Sequence, residues 1–297
     1  MSTAGTARPI VFCGYANLDV VGRVPRFPAP DERVHATAID QLPGGMGANA
    51  AVAAARAGAD AAFAGVVGAD LPSDLFLAQL DAEGVDTSWT DRAGWLSTAI
   101  VLVDGEGRRS VVSQDDALDG AHVGRVADRL ATAGGGLLYL DGYRAAELPH
   151  AVRPGVQLAV DLDGCEDPAL ARTALATADH VVVGRQRLTG LLGLDPSVAG
   201  PRTTLVVTDG PRGWTLTGPD GAADGPALAV DVVDDTGAGD CFVGTHLAGL
   251  AAGLDPVRAA TRAAVAASLS CTREGARAAP GPAEVTAALE RATTRTA

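Results

Sequence analysis

The sequence predicts an α/β fold of three layers, with helices on both faces of a mainly parallel central sheet and a small β-element that projects from it. Short apolar runs alternate with helical patterns along much of the chain. Three other stretches alternate apolar and polar residues, as half-exposed antiparallel strands do. No repeat or low-complexity linker divides the 297 residues, so we expect one domain over residues 1–297.

The strands of the covered sheet are predicted first at residues 10–14, a short apolar run closed by a glycine. Later runs share this continuous apolar character and are separated by helical patterns; they are residues 137–140, 158–160, 180–183 and 204–207. A parallel sheet that is covered on both faces gives this pattern, because neither face carries polar side chains.

Half-exposed strands are predicted at residues 34–41, 98–103 and 110–113, where apolar and polar residues alternate more strongly. The turn Asp-Gly-Glu-Gly at 104–107 joins the last two strands as a hairpin. We therefore expect the projecting β-element to be drawn from about residues 15–42 and 96–116.

Helices are predicted from apolar periodicity and from the residues at their ends. Several open with Asp, Ser or Pro and close with Gly, which are residue types that satisfy the free backbone groups of helix termini. The predicted helices are residues 48–57, 73–83, 121–133, 168–176, 240–252, 256–271 and 282–292.

The composition indicates a globular protein and argues against several partners. The net charge of −13 disfavours nucleic acid and anionic membranes, since both require clustered Lys and Arg. Arg56 and Asp60 interrupt the Ala-rich stretch 48–67, so no membrane span is expected there, and residues 1–9 lack the apolar run of a signal peptide. The four cysteines lack metal or redox spacing, and we expect reduced thiols in a cytoplasmic protein.

The first glycine loop, residues 44–49, has the sequence GGMGAN and precedes an alanine-rich helix. Residues 45–50 also satisfy the dinucleotide pattern G-x-G-x-x-A, which would indicate an oxidoreductase. That motif should follow the first buried strand, whereas the residues before this loop alternate as an exposed strand would. We favour a substrate loop, in which glycines allow close approach to the backbone and Asn49 binds a hydroxyl.

The second glycine loop, residues 234–239, has the sequence DDTGAG and lies between a predicted strand at 230–233 and a helix that begins at Asp240. A glycine turn at a helix start leaves unpaired N–H groups at the positive end of the helix dipole. Such a site binds an anion.

Asp240 alone could be a helix cap, but its position beside an anion site favours a catalytic base. In phosphoryl transfer the protein mostly positions the reactants and neutralises charge, while a carboxylate accepts the proton of the attacking hydroxyl. Gly237, Ala238 and Gly239 are predicted to hold the charge of the phosphoryl group. A P-loop is excluded, because no G-x-x-x-x-G-K-[ST] sequence occurs.

With both loops in view, the sequence resembles the ribokinase-like sugar kinases of the PfkB family over nearly its whole length. Residues 44–70 resemble the first family signature, and residues 234–240 match the second, [DN]-x-[ST]-G-A-G-D. The resemblance implies a ribokinase-like α/β/α sandwich and an ATP-dependent kinase, with the projecting β-element as a lid over the substrate.

The resemblance also implies site residues by position. Substrate contacts fall on Asn17, Asp19, Gly44, Gly45 and Asn49. Nucleotide contacts fall on Thr208, Gly210, Gly213 and Thr236. Arg144 lies where some members present an arginine to an acidic substrate group, and a surface arginine is the alternative there.

The chain departs from the family pattern at two places. Many members carry Asn-x-x-Glu where residues 184–187 here read Gly-Arg-Gln-Arg, which leaves the metal ligands unassigned. Met46 replaces the lysine of ribokinases proper, and residues 270–276 look more like the ketohexokinase and sulfofructose kinase branch.

The expected cofactors are ATP and Mg²⁺, with activation by a monovalent cation such as K⁺ left open. An exposed β-element commonly seeks a partner edge, so we expect a homodimer through the lid. Two alternatives to a sugar kinase stay open. One is a nucleoside kinase, although the aromatic content of 4% gives few rings for base stacking. The other is an inactive sugar-binding regulator, suggested by the altered residues 184–187.

Overall fold

The computed structural model describes residues 8–294, which form two β-sheets and eight α-helices. The strands in chain order are β1 (Ile10–Cys13), β2 (Asn17–Arg23), β3 (Ala38–Gly44), β4 (Ala61–Phe63), β5 (Ser97–Val103), β6 (Arg109–Gln114), β7 (Gly136–Asp141), β8 (Val156–Asp161), β9 (His180–Gly184), β10 (Thr204–Thr208), β11 (Trp214–Gly218) and β12 (Gly221–Gly225). The helices are α1 (Met46–Arg56), α2 (Leu71–Ala82), α3 (Gly120–Thr132), α4 (Leu148–Ala151), α5 (Pro168–Thr177), α6 (Ala238–Ala251), α7 (Pro256–Ser270) and α8 (Pro282–Thr294).

The large sheet has the strand order β12-β11-β10-β9-β8-β7-β1-β4. The run from β10 to β4 is parallel throughout, and β11 with β12 adds an antiparallel hairpin at one edge. This confirms the predicted mainly parallel sheet. The carboxyl ends of the parallel strands therefore meet along one edge, where α/β sheets bind their ligands.

Each buried strand faces two separate cores, because successive side chains point to opposite faces. Ile10 and Phe12 of β1 pack into the core beneath α1, α2, α6 and α7, and neither side chain is exposed to solvent. Val11 and Cys13 pack into the core beneath α3, α4 and α5. Two fully apolar faces explain why these strands read as continuous apolar runs.

Aspartates fix the starts of four helices, as the sequence predicts. The carboxylates of Asp70, Asp119, Asp167 and Asp255 accept backbone N–H groups in the first turns of α2, α3, α5 and α7. Each such cap is worth about 1 kcal/mol, because it satisfies a donor that the helix itself leaves free.

The small sheet, formed by β3, β2, β5 and β6 in that order, is the predicted projecting β-element. Strand β2 begins four positions after β1 ends, so this sheet grows from the carboxyl edge of the large sheet. Asn17 pairs with Gly44 on one side and with Ser97 on the other. This row of three residues forms the base of the small sheet.

Three local predictions are wrong. The strand predicted at 34–41 lies at Ala38–Gly44, so residues 34–37 precede the strand. Residues 230–233 form no strand; Val232 and Val233 are more than half exposed, and the Val233 N–H donates to the Cys271 carbonyl after α7. Helix α6 begins at Ala238, two residues before Asp240.

No helix within residues 8–294 has both the length and the apolar character needed to cross a membrane.

Candidate active site

The first glycine loop packs tightly on the turn that leaves β1. A Cβ on Gly47 would lie 2.8 Å from the carbonyl carbon of Gly14, and Gly45 has a φ of +97°. A Cβ on Gly45 would also collide with the Tyr15 carbonyl oxygen. These glycines therefore serve backbone contact within the protein, in addition to any approach by a substrate.

Asn17, Asp19 and Gly44 lie together at the base of the small sheet. The Asn17 Nδ2 donates to Asp19 Oδ1 at 2.6 Å, and a Cβ on Gly44 would lie 3.3 Å from Asp19 Oδ2. The Ser97 Oγ donates to Asn17 Oδ1 at 3.4 Å. A serine, an amide and a carboxylate thus present donors and acceptors side by side, which suits a polyhydroxylated ligand.

Asn49 and Asp240 join the two glycine loops across 191 positions of sequence. The Asn49 Nδ2 donates to Asp240 Oδ2 at 2.9 Å. The two side chains meet because α1 and α6 approach closely at Gly244, where a Cβ would collide with the Ala50 carbonyl oxygen. The carboxylate thereby lies between the first glycine loop and the start of α6.

The second glycine loop is shaped by Asp234, whose two carboxylate oxygens accept the N–H groups of Thr236 at 2.9 Å and Gly275 at 2.8 Å. Gly237 has a φ of +76° and lies against Ala276, with no room for a Cβ. The Ala238 N–H is already bound to the Asp235 carbonyl at 3.1 Å.

The start of α6 keeps free backbone donors for an anion. Among residues 8–294, no acceptor is found for the N–H groups of Gly237, Gly239 and Asp240. Ala238 was predicted to take part in this anion hole, but its N–H already donates to the Asp235 carbonyl. The backbone N–H of Asp240, which was not predicted to take part, has no acceptor among residues 8–294. Three free donors at a helix N-terminus have the chemistry to bind an anion.

Three carboxylates from the ends of two strands lie at this edge of the sheet. Asp141 ends β7, Asp161 ends β8, and Asp163 follows two residues later. The pKa of Asp240 is raised to about 7, mainly by burial and in addition by the charges of Asp141 and Asp163, whereas the Asn49 hydrogen bond and the charge of Arg277 oppose the rise. Burial likewise raises the pKa of Asp141 to about 6, and the pKa of Asp161 lies well above its usual range.

The sequence interpretation missed Asp141, Asp161 and Asp163 as site residues. A signal for them was present, because each follows or ends a continuous apolar run and such strand ends share one edge of a parallel sheet. Asp163 lies against the second loop: a Cβ on Gly239 would be 3.8 Å from Asp163 Oδ2, and the Gly184 N–H donates to Asp163 Oδ1 at 2.8 Å.

Arg187 stands near Asp163 at the altered 184–187 segment. Its charge opposes the rise in the pKa of Asp163 caused by burial, and its Nη1 donates to the Cys165 carbonyl at 3.3 Å. Within residues 8–294 no group of three or more His, Cys, Asp and Glu side chains could hold a metal ion.

The predicted nucleotide turn follows β10, next to the end of β9. Thr208 pairs with Gly184 in the sheet, Gly210 has a φ of +52°, and Gly213 has a φ of +95°. Asp209 in this turn pairs with Arg185 at 2.7 Å and with Arg212 at 2.6 Å. Thr236 is exposed on the second glycine loop.

Arg144 is buried, with 7% of its surface exposed, so the alternative of a surface arginine is wrong. Its Nη2 donates to Asp115 at 2.9 Å and to Asp116 at 2.6 Å. The guanidinium carbon also lies 5.8 Å from the centre of the Tyr15 ring. Two carboxylates from the segment after β6 already neutralise the charge that was predicted to meet an acidic substrate group.

Comparison with models of protein families shows which family the chain belongs to. The family model described as pfkB family carbohydrate kinase matches residues 7–181 and 190–283. The chain belongs to the pfkB family. Both glycine loops and the carboxylates at the strand ends lie within the matched residues. The chain is therefore a kinase that uses an alcohol group as acceptor, and the family is ATP-dependent.

Individual pfkB family relatives match over most of the chain. An ATP-dependent ribose-1-phosphate kinase of Halopiger xanaduensis is 29% identical over 280 residues, covering 91% of this chain and 94% of that protein. A fructokinase of Klebsiella pneumoniae is 32% identical over 243 residues, covering 71% and 78%. The structure of Arabidopsis thaliana ribokinase complexed with ribose and ATP matches with a TM-score of 0.82 at 23% identity, covering 96% and 99%. The predicted ribokinase-like fold is thus confirmed.

Proposed function

We propose that this pfkB kinase transfers the terminal phosphoryl group of ATP to a hydroxyl of a small sugar or sugar derivative. The observation that carries the proposal is the position of Asp240, a half-buried carboxylate at the start of α6 beside three free backbone donors. A base and an anion site on adjacent residues are what phosphoryl transfer requires.

Asp240 accepts the proton of the acceptor hydroxyl as that oxygen forms its bond to the terminal phosphorus. The bond between this phosphorus and the bridging oxygen of ADP breaks, and ADP leaves with the electron pair. The N–H groups of Gly237, Gly239 and Asp240 neutralise the charge on the moving group. A base with a pKa of about 7 combines a usable charged fraction with proton affinity near neutral pH.

The acceptor sugar lies between the small sheet and the first glycine loop in this proposal. Asn17, Asp19 and Asn49 bind its hydroxyls, Gly44 and Gly45 shape the floor, and the small sheet acts as the lid. Arg144 supports the lid by binding Asp115 and Asp116, and it offers little free charge to an anionic group. These contacts favour an uncharged acceptor over a sugar acid or sugar phosphate.

The nucleotide phosphates lie at Thr208, Gly210 and Gly213, with Thr236 on the facing loop. Mg²⁺ would bind with these phosphates, whose oxygens are ligands that it prefers, and would neutralise part of their charge. No step above depends on a metal held by the protein. Activation by K⁺ and membership of the ketohexokinase and sulfofructose kinase branch stay predictions.

A nucleoside kinase is a second candidate, favoured by one observation. The rings of Tyr15 and Tyr143 lie 5.3 Å apart, the Tyr15 hydroxyl lies within hydrogen-bond distance of Ser97 Oγ, and 56% of Tyr143 is exposed. An exposed aromatic face at this place could stack on a base. A nucleoside phosphorylated in preference to every sugar would select this candidate.

The experiment is a panel of sugars, sugar acids, sugar phosphates and nucleosides, each incubated with ATP, Mg²⁺ and the purified protein, with ADP release and the phosphorylated product both measured. We expect phosphorylation of an uncharged sugar. Saturable sugar binding with no product from any acceptor would contradict the proposal and support the inactive sugar-binding regulator.

We also propose that a second copy of the chain covers the outer face of the small sheet. Ile39, Ile100 and Val112 share the face opposite Asp19, and each is more than half exposed. Exposed apolar patches of this kind mark interaction surfaces, and the free edges of β3 and β6 offer strand partners.

A further inference from the structure

The segment that follows α7, residues 271–281, forms a strap across the starts of α1 and α6. Its Gly275 N–H binds Asp234, and its Ala276 lies directly against Gly237. Arg56 at the end of α1 donates from Nη1 to the carbonyls of Arg277 at 2.6 Å and Ala279 at 3.0 Å. The strap is therefore tied to the second glycine loop and to the end of α1.

Arg56 is itself held in place by a two-point ion pair with Glu83 at the end of α2. The Nε and Nη2 atoms of Arg56 donate to the two oxygens of Glu83 at 2.7 and 2.6 Å. Because a bidentate pair of this kind fixes the guanidinium plane, the carbonyls that Arg56 binds are fixed as well. The backbone at Arg277 thus has a defined position relative to α1.

The Arg277 side chain points from the strap towards the catalytic base. Its Nε donates to Asn49 Oδ1 at 3.0 Å, and its guanidinium carbon lies 4.8 Å from the centre of the Phe76 ring. Its Nη2 is buried and has no hydrogen-bond partner among residues 8–294. A half-buried arginine with one buried nitrogen left unpaired is costly to maintain, which calls for an explanation beyond packing.

The contact with Asn49 fixes which end of the amide faces Asp240. An asparagine side chain can be turned over, so that its oxygen and its nitrogen exchange places. In the turned arrangement the Asn49 oxygen would face the Asp240 carboxylate, and two acceptors would be opposed. Because Arg277 has donors only, it selects the arrangement in which the Asn49 nitrogen donates to Asp240.

We propose that Arg277 is a positioning residue for the phosphoryl transfer of the proposed function, acting on Asp240 through the Asn49 amide. Arg277 touches neither the acceptor nor the phosphate. It fixes the Asn49 amide, and the amide fixes the orientation of the carboxylate that takes the proton. The sugar hydroxyl then meets a base whose free oxygen is directed at the cleft.

The charge of Arg277 has a second, separable effect on the base. The charged and polar groups that act on Asp240 are Asn49 on α1, Asp141 at the end of β7, Asp161 at the end of β8, Asp163 after β8, Arg277 on the strap, and the hydroxyls of Tyr139 and Tyr143. Arg277 is the cation of this set that lowers the pKa of Asp240, against burial and the aspartates that raise it. Removing the charge therefore raises the pKa of Asp240.

The test compares the pH dependence of turnover for wild type, Arg277→Met, Arg277→Gln and Arg277→Lys with the best acceptor of the panel. Methionine keeps the contact with Phe76 but loses both the donor and the charge, so we expect about a tenfold lower plateau rate and an acid limb at higher pH. Glutamine keeps a hydrogen-bond donor but has no charge. The plateau rate of Arg277→Gln should therefore lie between those of Arg277→Met and wild type, and its acid limb should still lie at higher pH than that of wild type. Lysine keeps the charge, so its limb should stay near that of wild type.

Two controls distinguish a positioning role of Arg277 from a general loss of structure in the variant. Arg273→Met removes an exposed arginine of the same strap that pairs with Glu284, and its pH profile should match wild type. In an Asn49→Ala background, Arg277→Met should cause little further loss of the plateau rate. The inference is overturned if Arg277→Met is folded and keeps the wild-type rate and profile, or if its loss is as large without Asn49. A wild-type protein that phosphorylates no acceptor would instead overturn the proposed function.

Discussion

At the scale of single residues, the account depends on the protonation of Asp240. Burial raises the pKa of this carboxyl to about 7, and Asp141 adds a second group with a pKa of about 6. A base works only in its charged form, so the pH dependence of the reaction should report the titration of this cluster.

We predict that kcat/KM of the wild-type enzyme falls as pH decreases through about 7, because Asp240 becomes protonated. The fall should approach tenfold per pH unit well below that value, and the rate should be constant above it. Initial rates between pH 5 and 9 with the best acceptor measure this. An acid limb near the usual pKa of an aspartate would contradict the burial of the base.

We also predict that Asp240→Asn makes the protein more stable at pH 8. The pKa is raised above the unfolded value of 3.8, so the folded state holds the proton more tightly. Its contribution to stability is complete below that value and is lost as pH rises to about 7. Asparagine removes the buried charge and should add about 1–3 kcal/mol to the free energy of unfolding, the partial exposure of the carboxyl limiting the gain.

Urea unfolding of wild type and Asp240→Asn at pH 8 and at pH 4 tests this sign. The difference between the two proteins should be clear at pH 8 and small at pH 4, where the wild-type carboxyl is already neutral. A difference that is the same at both pH values would mean that the substitution acts through packing. Stability gained by removing a functional charge is a known cost of active sites.

At the scale of elements, the register of α1 against α6 determines whether Asn49 reaches Asp240. Gly244 permits this crossing, because any Cβ there would collide with the Ala50 carbonyl oxygen and lie 2.8 Å from the Ala53 Cβ. The helices therefore approach at a point where only glycine fits.

We predict that Gly244→Ala destabilises the protein by about 1–3 kcal/mol and lowers turnover by separating Asn49 from Asp240. Gly124→Ala in α3 is the matched control, since its Cβ would have nothing closer than Arg153 Nη2 at 3.7 Å. That control should gain about 0.5–1 kcal/mol, as alanine is the better helix former. Urea unfolding measures the stability of the two variants, and kcat measures their turnover. Equal stability of the two variants would contradict the close approach.

The strands and helices also show how much of the fold could be predicted from the sequence. The parallel strands were predictable, because burial on both faces leaves an apolar run that is visible locally. The strand expected at 230–233 failed for a non-local reason: β-branched residues favour a strand only where a sheet edge is available. There the backbone pairs with the end of α7 instead, where the Val233 N–H donates to the Cys271 carbonyl.

The candidate site was predictable where its residues carry a motif, as Asn49, Gly237 and Asp240 do. Arg277 carries none, because its role depends on a contact 228 positions away with Asn49. Asp141 and Asp163 needed the strand order, which determines which carboxyl ends meet at the site. Arg144 was noticed, but its partners Asp115 and Asp116 come from a neighbouring segment that spacing does not reveal.

At the scale of the whole molecule, the small sheet has one face towards the site and an apolar face towards solvent. Asp19 lies on the first face, and Ile39, Ile100 and Val112 lie on the second. The assignment of residues 1–297 to one domain, with this sheet as a lid, stays a prediction. The outer face is where we expect the second copy of the chain.

We predict that the wild-type protein is a dimer in solution and that Val112→Asp yields monomers, because a charge on the covered face would be buried without a partner. Leu75→Asp is the matched control, an exposed apolar residue on α2 outside the small sheet. Light scattering coupled to size exclusion gives the mass of each. A monomeric wild type, or a Val112→Asp variant that stays dimeric, would contradict this interface.

The central claim is that Asp240 takes the proton from the acceptor hydroxyl. The most direct measurement is kcat of Asp240→Asn at pH 8, compared with Asp220→Asn, which changes an exposed aspartate in the turn between β11 and β12. We predict a loss of about 100- to 10,000-fold for Asp240→Asn and wild-type turnover for the control, with both proteins folded. Unchanged turnover in Asp240→Asn would contradict the account.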